Sequence, residues 1–183
     1  MKNKFLVFCG ISHLSINYGL VSAKLGNKVY FYDTHKKIDM FLKNKHTINE
    51  PKLDKYFKKY KKNINFISKL PNDLSQSIIF LALDIATTKN NVSDYKFINK
   101  NINFLVKNIS NKNCPLVLMS QVRPHFTRKI NWPLKFLYYQ VETLIFGDAI
   151  NRAENPERII VGTHNGLVVN NIFYFNYLKL FKS

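Results

Sequence analysis

Hydrophobic and polar positions alternate along the chain between two kinds of run. Short, mostly apolar stretches stand at Phe5–Gly10, Lys28–Asp33, Ile64–Ile67, Ser77–Leu83, Pro115–Ser120, Leu137–Val141 and Arg158–Val161. Continuous apolar runs such as Ser77–Leu83 are what strands covered on both faces show. Between these runs the period changes to that of a helix. Tyr18–Leu25 is one such segment, and Gly26-Asn27 closes it as a C-cap does. Thr34–Lys43 is a second. Pro51–Lys61 is a third, with proline in its first turn and Leu53, Tyr56, Phe57 and Tyr60 forming one apolar stripe. Asp94–Ile109 is a fourth, with Ile98, Ile102, Leu105 and Ile109 on one face and Asp94 near the positive end of the helix. Strands alternating with helices predict an α/β protein with a mainly parallel sheet and helices on both faces. Ligands of such sheets sit beyond the carboxyl ends of the strands. That singles out the loops Gly10–Ser15, Asp84–Ser93, Gln121–Thr127 and Glu142–Ile150.

The first thirty-three residues carry the most chemistry. Strand Phe5–Gly10 runs into Gly10-Ile-Ser-His-Leu-Ser15, then a helix, then a second strand ending at Asp33. Strand, tight turn, helix and strand, with an acid about twenty residues past the turn, is the layout of a dinucleotide-binding βαβ unit. It predicts a Rossmann-like, doubly wound sheet whose strand order reverses beside Gly10. The fingerprint of that unit is Gly-x-Gly-x-x-Gly; here the three positions are Gly10, Ser12 and Ser15. The second glycine allows backbone contact with a pyrophosphate and the third allows helix and strand to pack closely. The serines therefore predict a turn that survives and an NAD affinity that falls. Asp33 suits either the N-cap of the next helix or the ribose diol of NAD. An acid there favours NAD over NADP, a preference that Lys36 and Lys37 blunt.

Length and charge narrow the picture only a little. With 183 residues the chain is long enough for one α/β domain with a real core. The expectation is a single dinucleotide-binding domain over 1–183, with 165–183 a C-terminal apolar helix. The formal charge of +17 invites a nucleic-acid reading, but the lysines are spread along helix faces and charge is the only support, so nucleic acid is not an expected partner. Cys9 and Cys114 belong to strand interiors and give neither metal spacing nor a disulfide framework. His125 and His164 likewise suggest no metal site. No run of eighteen apolar residues predicts a membrane span. Met1-Lys-Asn-Lys4, Phe5–Ile11 and Val21-Ser-Ala23 have the outline of a signal peptide, but cleavage would remove the first strand of a coherent βαβ unit. A cytoplasmic protein is expected.

Several segments together resemble the N-terminal, NAD-binding domain of the UDP-glucose/GDP-mannose dehydrogenases. They are the Gly10 turn, Tyr32-Asp33, Asn49-Glu-Pro-Lys-Leu-Asp54, the strand Ile79–Leu83 with Ser93-Asp94 beyond it, and Ser120-Gln-Val-Arg-Pro-His-Phe-Thr127. The most specific is Glu142-Thr-Leu-Ile-Phe-Gly-Asp-Ala-Ile150 followed by Asn155-Pro-Glu-Arg-Ile-Ile-Val-Gly162. The resemblance implies an oxidoreductase of nucleotide-sugar metabolism in which NAD accepts hydride from the sugar alcohol by way of a cysteine-bound intermediate. The departures are as informative. The family's Gly-x-Gly-Tyr-Val-Gly keeps one glycine here, and His13 stands at the tyrosine. The family's Pro-Thr-Pro reads Asp84-Ile85-Ala86, and its Ser-Thr-x-Pro reads Ser120-Gln121-Val122-Arg123. Its first site glutamate matches Glu142, while the second is replaced by Phe146. The family's later domains, which supply the nucleophilic cysteine, lie beyond the stretch that matches.

The candidate cofactor-binding residues are thus Gly10, Ile11, Ser12, His13, Leu14, Ser15, Asp33, Lys37 and Gln121. Glu142, carried by the resemblance, is the candidate catalytic residue. His13 suits a catalytic base or a polar residue at a helix start. Asn155, Pro156 and Arg158 are read as structural. Two functions follow. One is an NAD-binding domain of a nucleotide-sugar 6-dehydrogenase, incomplete for catalysis by itself. The other is a truncated or degenerate relative, a non-catalytic binding module that kept the fold and lost the cofactor. A nucleotide sugar is a possible second ligand. The apolar C-terminal segment predicts a homo-oligomer or a docking partner chain.

Overall fold

The structure is a computed structural model that describes residues 4–43, 48–166 and 168–181. Met1–Asn3 of the basic start, and Leu167, Lys182 and Ser183 of the C-terminal segment, lie outside the described residues.

Seven strands form the main sheet: β1 (Phe5–Cys9), β2 (Lys28–Tyr32), β3 (Ile64–Ile67), β4 (Ser77–Leu81), β7 (Leu116–Leu118), β8 (Leu137–Gln140) and β9 (Val161–Gly162). They lie in the order β3-β2-β1-β4-β7-β8-β9, and all neighbours are parallel except β8 and β9. The order reverses between β1 and β4, so the crevice at the carboxyl end of β1 opens beside Gly10, as the sequence predicts. Alternation along each strand divides the core. Leu6 and Phe8 of β1, with Ile78 and Phe80 of β4, face the layer holding helix α1 (His13–Lys24). Val7, Cys9, Ile79 and Leu81 face helix α4 (Lys96–Asn108). Burial on both faces is why these strands read as unbroken apolar runs.

Helices α2 (His35–Leu42) and α3 (Leu53–Tyr60) fall where the periodicity puts them, except that Pro51, expected in the first turn of α3, precedes the helix and its left-handed cap residue Lys52. Thr34 caps α2 by accepting the Lys37 amide. Other elements correct the sequence reading. Helix α1 begins at His13, not Tyr18, because Ser12 and Ser15 form a reciprocal capping box immediately after the turn. Asp84–Ser93 is not all loop: β5 (Ala86–Thr87) and β6 (Ser93–Asp94) form a small antiparallel ribbon. Asp94 lies in that ribbon and accepts the Lys96 amide ahead of α4. The expected strand Arg158–Val161 is the two-residue β9, and it is antiparallel. Helix α5 (Ala149–Glu154), which lies between β8 and β9 in the chain, packs on α1. The C-terminal helix α6 (Ile172–Leu178) has seven residues and is much shorter than 165–183. Tyr174, Tyr177 and Phe181 are buried against the sheet and α1, while Ile172, Phe175 and Leu180 are exposed.

No helix among the described residues is long and apolar enough to cross a membrane.

Candidate functional site

The site is built where β1 gives way to α1. Gly10 has φ +92°, and a Cβ there would stand 2.0 Å from Leu83 Cδ2. Only a residue without a side chain satisfies both demands. The close approach of α1 to the sheet, expected at position 15, is made one turn later. A Cβ on Gly19 would lie 2.3 Å from the Phe31 ring of β2. Ser15 is buried and serves the turn, its hydroxyl donating to Gly10 O at 2.6 Å.

The amides of Ile11, Ser12, His13 and Ser15 point at oxygens of side chains of the chain itself. Ile11 N donates to Asp33 Oδ2 at 2.8 Å, Ser12 N to Ser15 Oγ at 2.9 Å, and Ser15 N to Ser12 Oγ at 3.0 Å. His13 N donates to Asp84 Oδ2 at 3.1 Å. Ser12 Oγ in turn donates to Ala82 O. Asp33 sits at the end of β2, 9% exposed, with Oδ1 accepting the Thr34 amide and Lys37 Nζ 3.5 Å from Oδ2. Thr34, not Asp33, is the cap of α2.

His13 is the first residue of α1. Its Nε2 is 2.6 Å from Glu50 Oε1, and its ring lies 4.3 Å from that of Phe146. Glu50 is buried and also accepts the amides of Gly147 and Ala149. Burial works against its ionisation, but hydrogen bonds from His13 and the two amides, with the charge of His13, hold its carboxyl below the ordinary glutamate value. The His13 ring is therefore tied to a structural carboxylate, which favours the polar helix-start reading over a free base.

Two hollows meet at this point. One, of about 490 Å³, runs from Ile11 and Ser12 to Lys37, Met40 and Asn49. The other, of about 240 Å³, holds Leu14, Gln121 and Glu142. His13, Asp84 and Phe146 line both. Gln121 Nε2 donates to Glu142 Oε1 at 2.5 Å, and Glu142 Oε2 accepts the Leu144 amide. The structure thus brings Gln121 and Glu142 together beside the turn. The rest of Gln121–Thr127 turns away: Arg123, Pro124, His125 and Phe126 border a separate hollow with Tyr95. Glu50, Asp84 and Phe146 complete the site. Asp84 is signalled by its place at the carboxyl end of a strand and as a departure from the family pattern, and Glu50 only as part of the matching segment Asn49–Asp54, with no site role attached to it.

Neither cysteine has a place here. Cys9 and Cys114 are buried and free. Burial pushes the Cys9 thiol far above its usual range and that of Cys114 up to about 12. Among the described residues no group of three or more histidines, cysteines or carboxylates could hold a metal ion.

A parallel sheet reversing beside a bare glycine turn, with a helix N-terminus over the crevice and an acid at the end of β2, defines a dinucleotide-binding domain. The frame fits a dinucleotide, although four of its amide donors, those of Ile11, Ser12, His13 and Ser15, are already engaged. The model of the UDP-glucose/GDP-mannose dehydrogenase family, NAD binding domain, matches residues 5–172. The chain belongs to that family and is an NAD-binding domain of the nucleotide-sugar dehydrogenases. No curated protein sequence matches it. Among solved structures it is similar to a UDP-glucose dehydrogenase from the hyperthermophilic archaeon Pyrobaculum islandicum, with a TM-score of 0.80 and 18% identity over 99% of this chain and 45% of that one. It is also similar to GDP-mannose dehydrogenase from Pseudomonas aeruginosa, with a TM-score of 0.77 and 16% identity over 95% of this chain and 44% of that one. A third is the UDP-N-acetyl-mannosamine dehydrogenase of Staphylococcus aureus, with a TM-score of 0.78 and 12% identity over 98% and 46%. At these identities the likeness shows the fold. The chain spans less than half the length of these structures.

Proposed function

We propose that this chain holds NAD weakly along the two joined hollows, as the cofactor-binding part of an enzyme that oxidises a nucleotide sugar. The diphosphate would lie over Gly10–Ser15, including Ile11 and Leu14, a ribose diol at Asp33 beside Lys37, and the nicotinamide end toward Gln121 and Glu142. The observation that carries this reading is the bare backbone of Gly10 at the reversal of the sheet, with the Asp33 carboxylate 2.8 Å from the next amide. The bound cofactor would supply a hydride acceptor. Glu142, oriented by Gln121 and the Leu144 amide, is the candidate group to hold or move a proton there. Two buried thiols cannot provide the nucleophile, so the described chain does not complete the oxidation alone. The same reading places the protein in the cytoplasm, with a nucleotide sugar as second ligand and a second copy as partner through α6.

A second reading has its own support. Four turn amides already paired within the chain suit a binding module that kept the fold and lost the cofactor. Calorimetric titration separates the two. The first reading expects a dissociation constant for NAD in the high-micromolar range, and Asp33→Ala weakening NAD more than NADP. No heat from NAD at millimolar concentration would leave the second. Reduction of NAD by the pure chain with UDP-glucose, abolished in Glu142→Gln, would overturn the claim of incompleteness.

A further inference from the structure

We propose that Asp84 occupies the anion-binding end of α1 in place of a cofactor phosphate, and so sets how tightly the domain holds a dinucleotide. This role presupposes that the turn is the cofactor site.

The first amide of a helix is a natural anion donor, because its N–H has no intrahelical acceptor and the helix dipole is positive there. In α1 that amide belongs to His13, and it donates to Asp84 Oδ2. The acceptors on the neighbouring amides cannot readily leave. Ser12 and Ser15 are buried and bonded to each other and to Ala82 O and Gly10 O. Asp33 is buried and held by the Thr34 amide as well. Asp84 differs: its side chain is exposed on the loop after β4, and among the described residues no cation pairs with it. It is the acceptor that an incoming anion would have to displace to reach the His13 amide.

Its position compounds the effect. Asp84 lines both hollows at their junction with His13 and Phe146. A dinucleotide reaching from Asp33 to Gln121 and Glu142 passes this junction, and the phosphates are the part that meets the helix end. Asp84 there competes for the His13 amide and repels the diphosphate. Both effects should weaken with added salt, because the carboxylate is open to solvent.

The test uses the full chain with Asp84→Asn, which removes the charge and keeps an acceptor, and Asp84→Ala, which removes both. Thermal unfolding of each variant checks that it folds. NAD and inorganic pyrophosphate are titrated separately, by calorimetry and by following the backbone amide resonances of Ile11 and His13. Both variants should bind NAD roughly threefold to tenfold more tightly at low ionic strength, with a smaller gain at high salt. Pyrophosphate should shift the His13 amide in the variants at concentrations that leave the parent chain unchanged. If pyrophosphate gains and NAD binds to no form, the cofactor reading falls while the hold of Asp84 on the anion site stands. Affinities for both probes that are equal or weaker in the variants would overturn the proposal.

Discussion

Glu50 draws three partners from two separated parts of the chain: the His13 ring, and the amides of Gly147 and Ala149. It ties the start of α1 to the turn before α5, the two segments that bound the second hollow. Replacing it by glutamine would set an NH₂ group against donors and remove a charge, which should cost about 1–3 kcal/mol of stability near neutral pH. The pH dependence has a definite sign. The folded-state pKa of Glu50 lies below its ordinary value. Its contribution is therefore fully present above the unfolded pKa of about 4.3 and is lost as pH falls through the lower folded value. Urea midpoints of the parent and Glu50→Gln chains, followed from neutral to acid pH, should converge at the acid end. A constant gap down to pH 3 would mean that the carboxylate contributes through its shape alone. No inspection of positions 48–54 could reveal this, because both amide partners lie nearly a hundred residues away.

At the scale of elements, α6 shows what a hydropathy pattern hides. Ile172–Phe181 reads as apolar nearly all round, yet two of its buried tyrosines are fixed by polar bonds. Tyr174 Oη donates to Gln140 Oε1 at 2.9 Å, and Tyr177 Oη lies 3.0 Å from Ser22 Oγ. All four residues are buried. Tyr174→Phe would leave the Gln140 amide oxygen without that donor inside the core, costing about 1–3 kcal/mol. Tyr174→Phe combined with Gln140→Leu should recover part of the loss. A chemical-denaturation cycle over the two sites measures it, and strict additivity would show that the bond contributes nothing. The elements that were legible in the sequence are those governed by burial: β1, β4 and β7 as unbroken apolar runs, and α3 and α4 by their stripes. The missed ones are governed by local polar bonds. His13 and Ser15 fall within the loop Gly10–Ser15 of the sequence reading, but the capping box makes them part of the first turn of α1. The candidate site divides in the same way. Gly10 and Asp33 follow from the βαβ spacing, whereas the Asp84 acceptor on the His13 amide and the Ala82 carbonyl on the Ser12 hydroxyl come from 71 and 70 residues away.

For the whole molecule, charge and apolar surface act against each other. The net charge of +17 makes two copies repel. On α6 and beside it, Ile172 (66% exposed), Val168 (74%), Phe175 (37%) and Leu180 (41%) remain open to solvent after Tyr174 and Tyr177 have packed inward. Cutting the chain at Asn171 would remove those two buried tyrosines along with the exposed face, so truncation tests folding as much as association. Surface substitution separates them. If α6 joins two copies, the apolar face supplies the attraction and the lysines the long-range opposition, which salt screens over about 10 Å at 0.1 M. Sedimentation should then show a monomer at low ionic strength and a rising dimer fraction as salt is added. Ile172→Glu with Phe175→Glu should remain monomeric throughout, with an unfolding midpoint close to that of the parent because neither side chain is buried. A parent chain that stays monomeric at high salt would exclude α6 as a self-association face. The exposed residues would then be isolated surface side chains, of the kind folded proteins commonly carry.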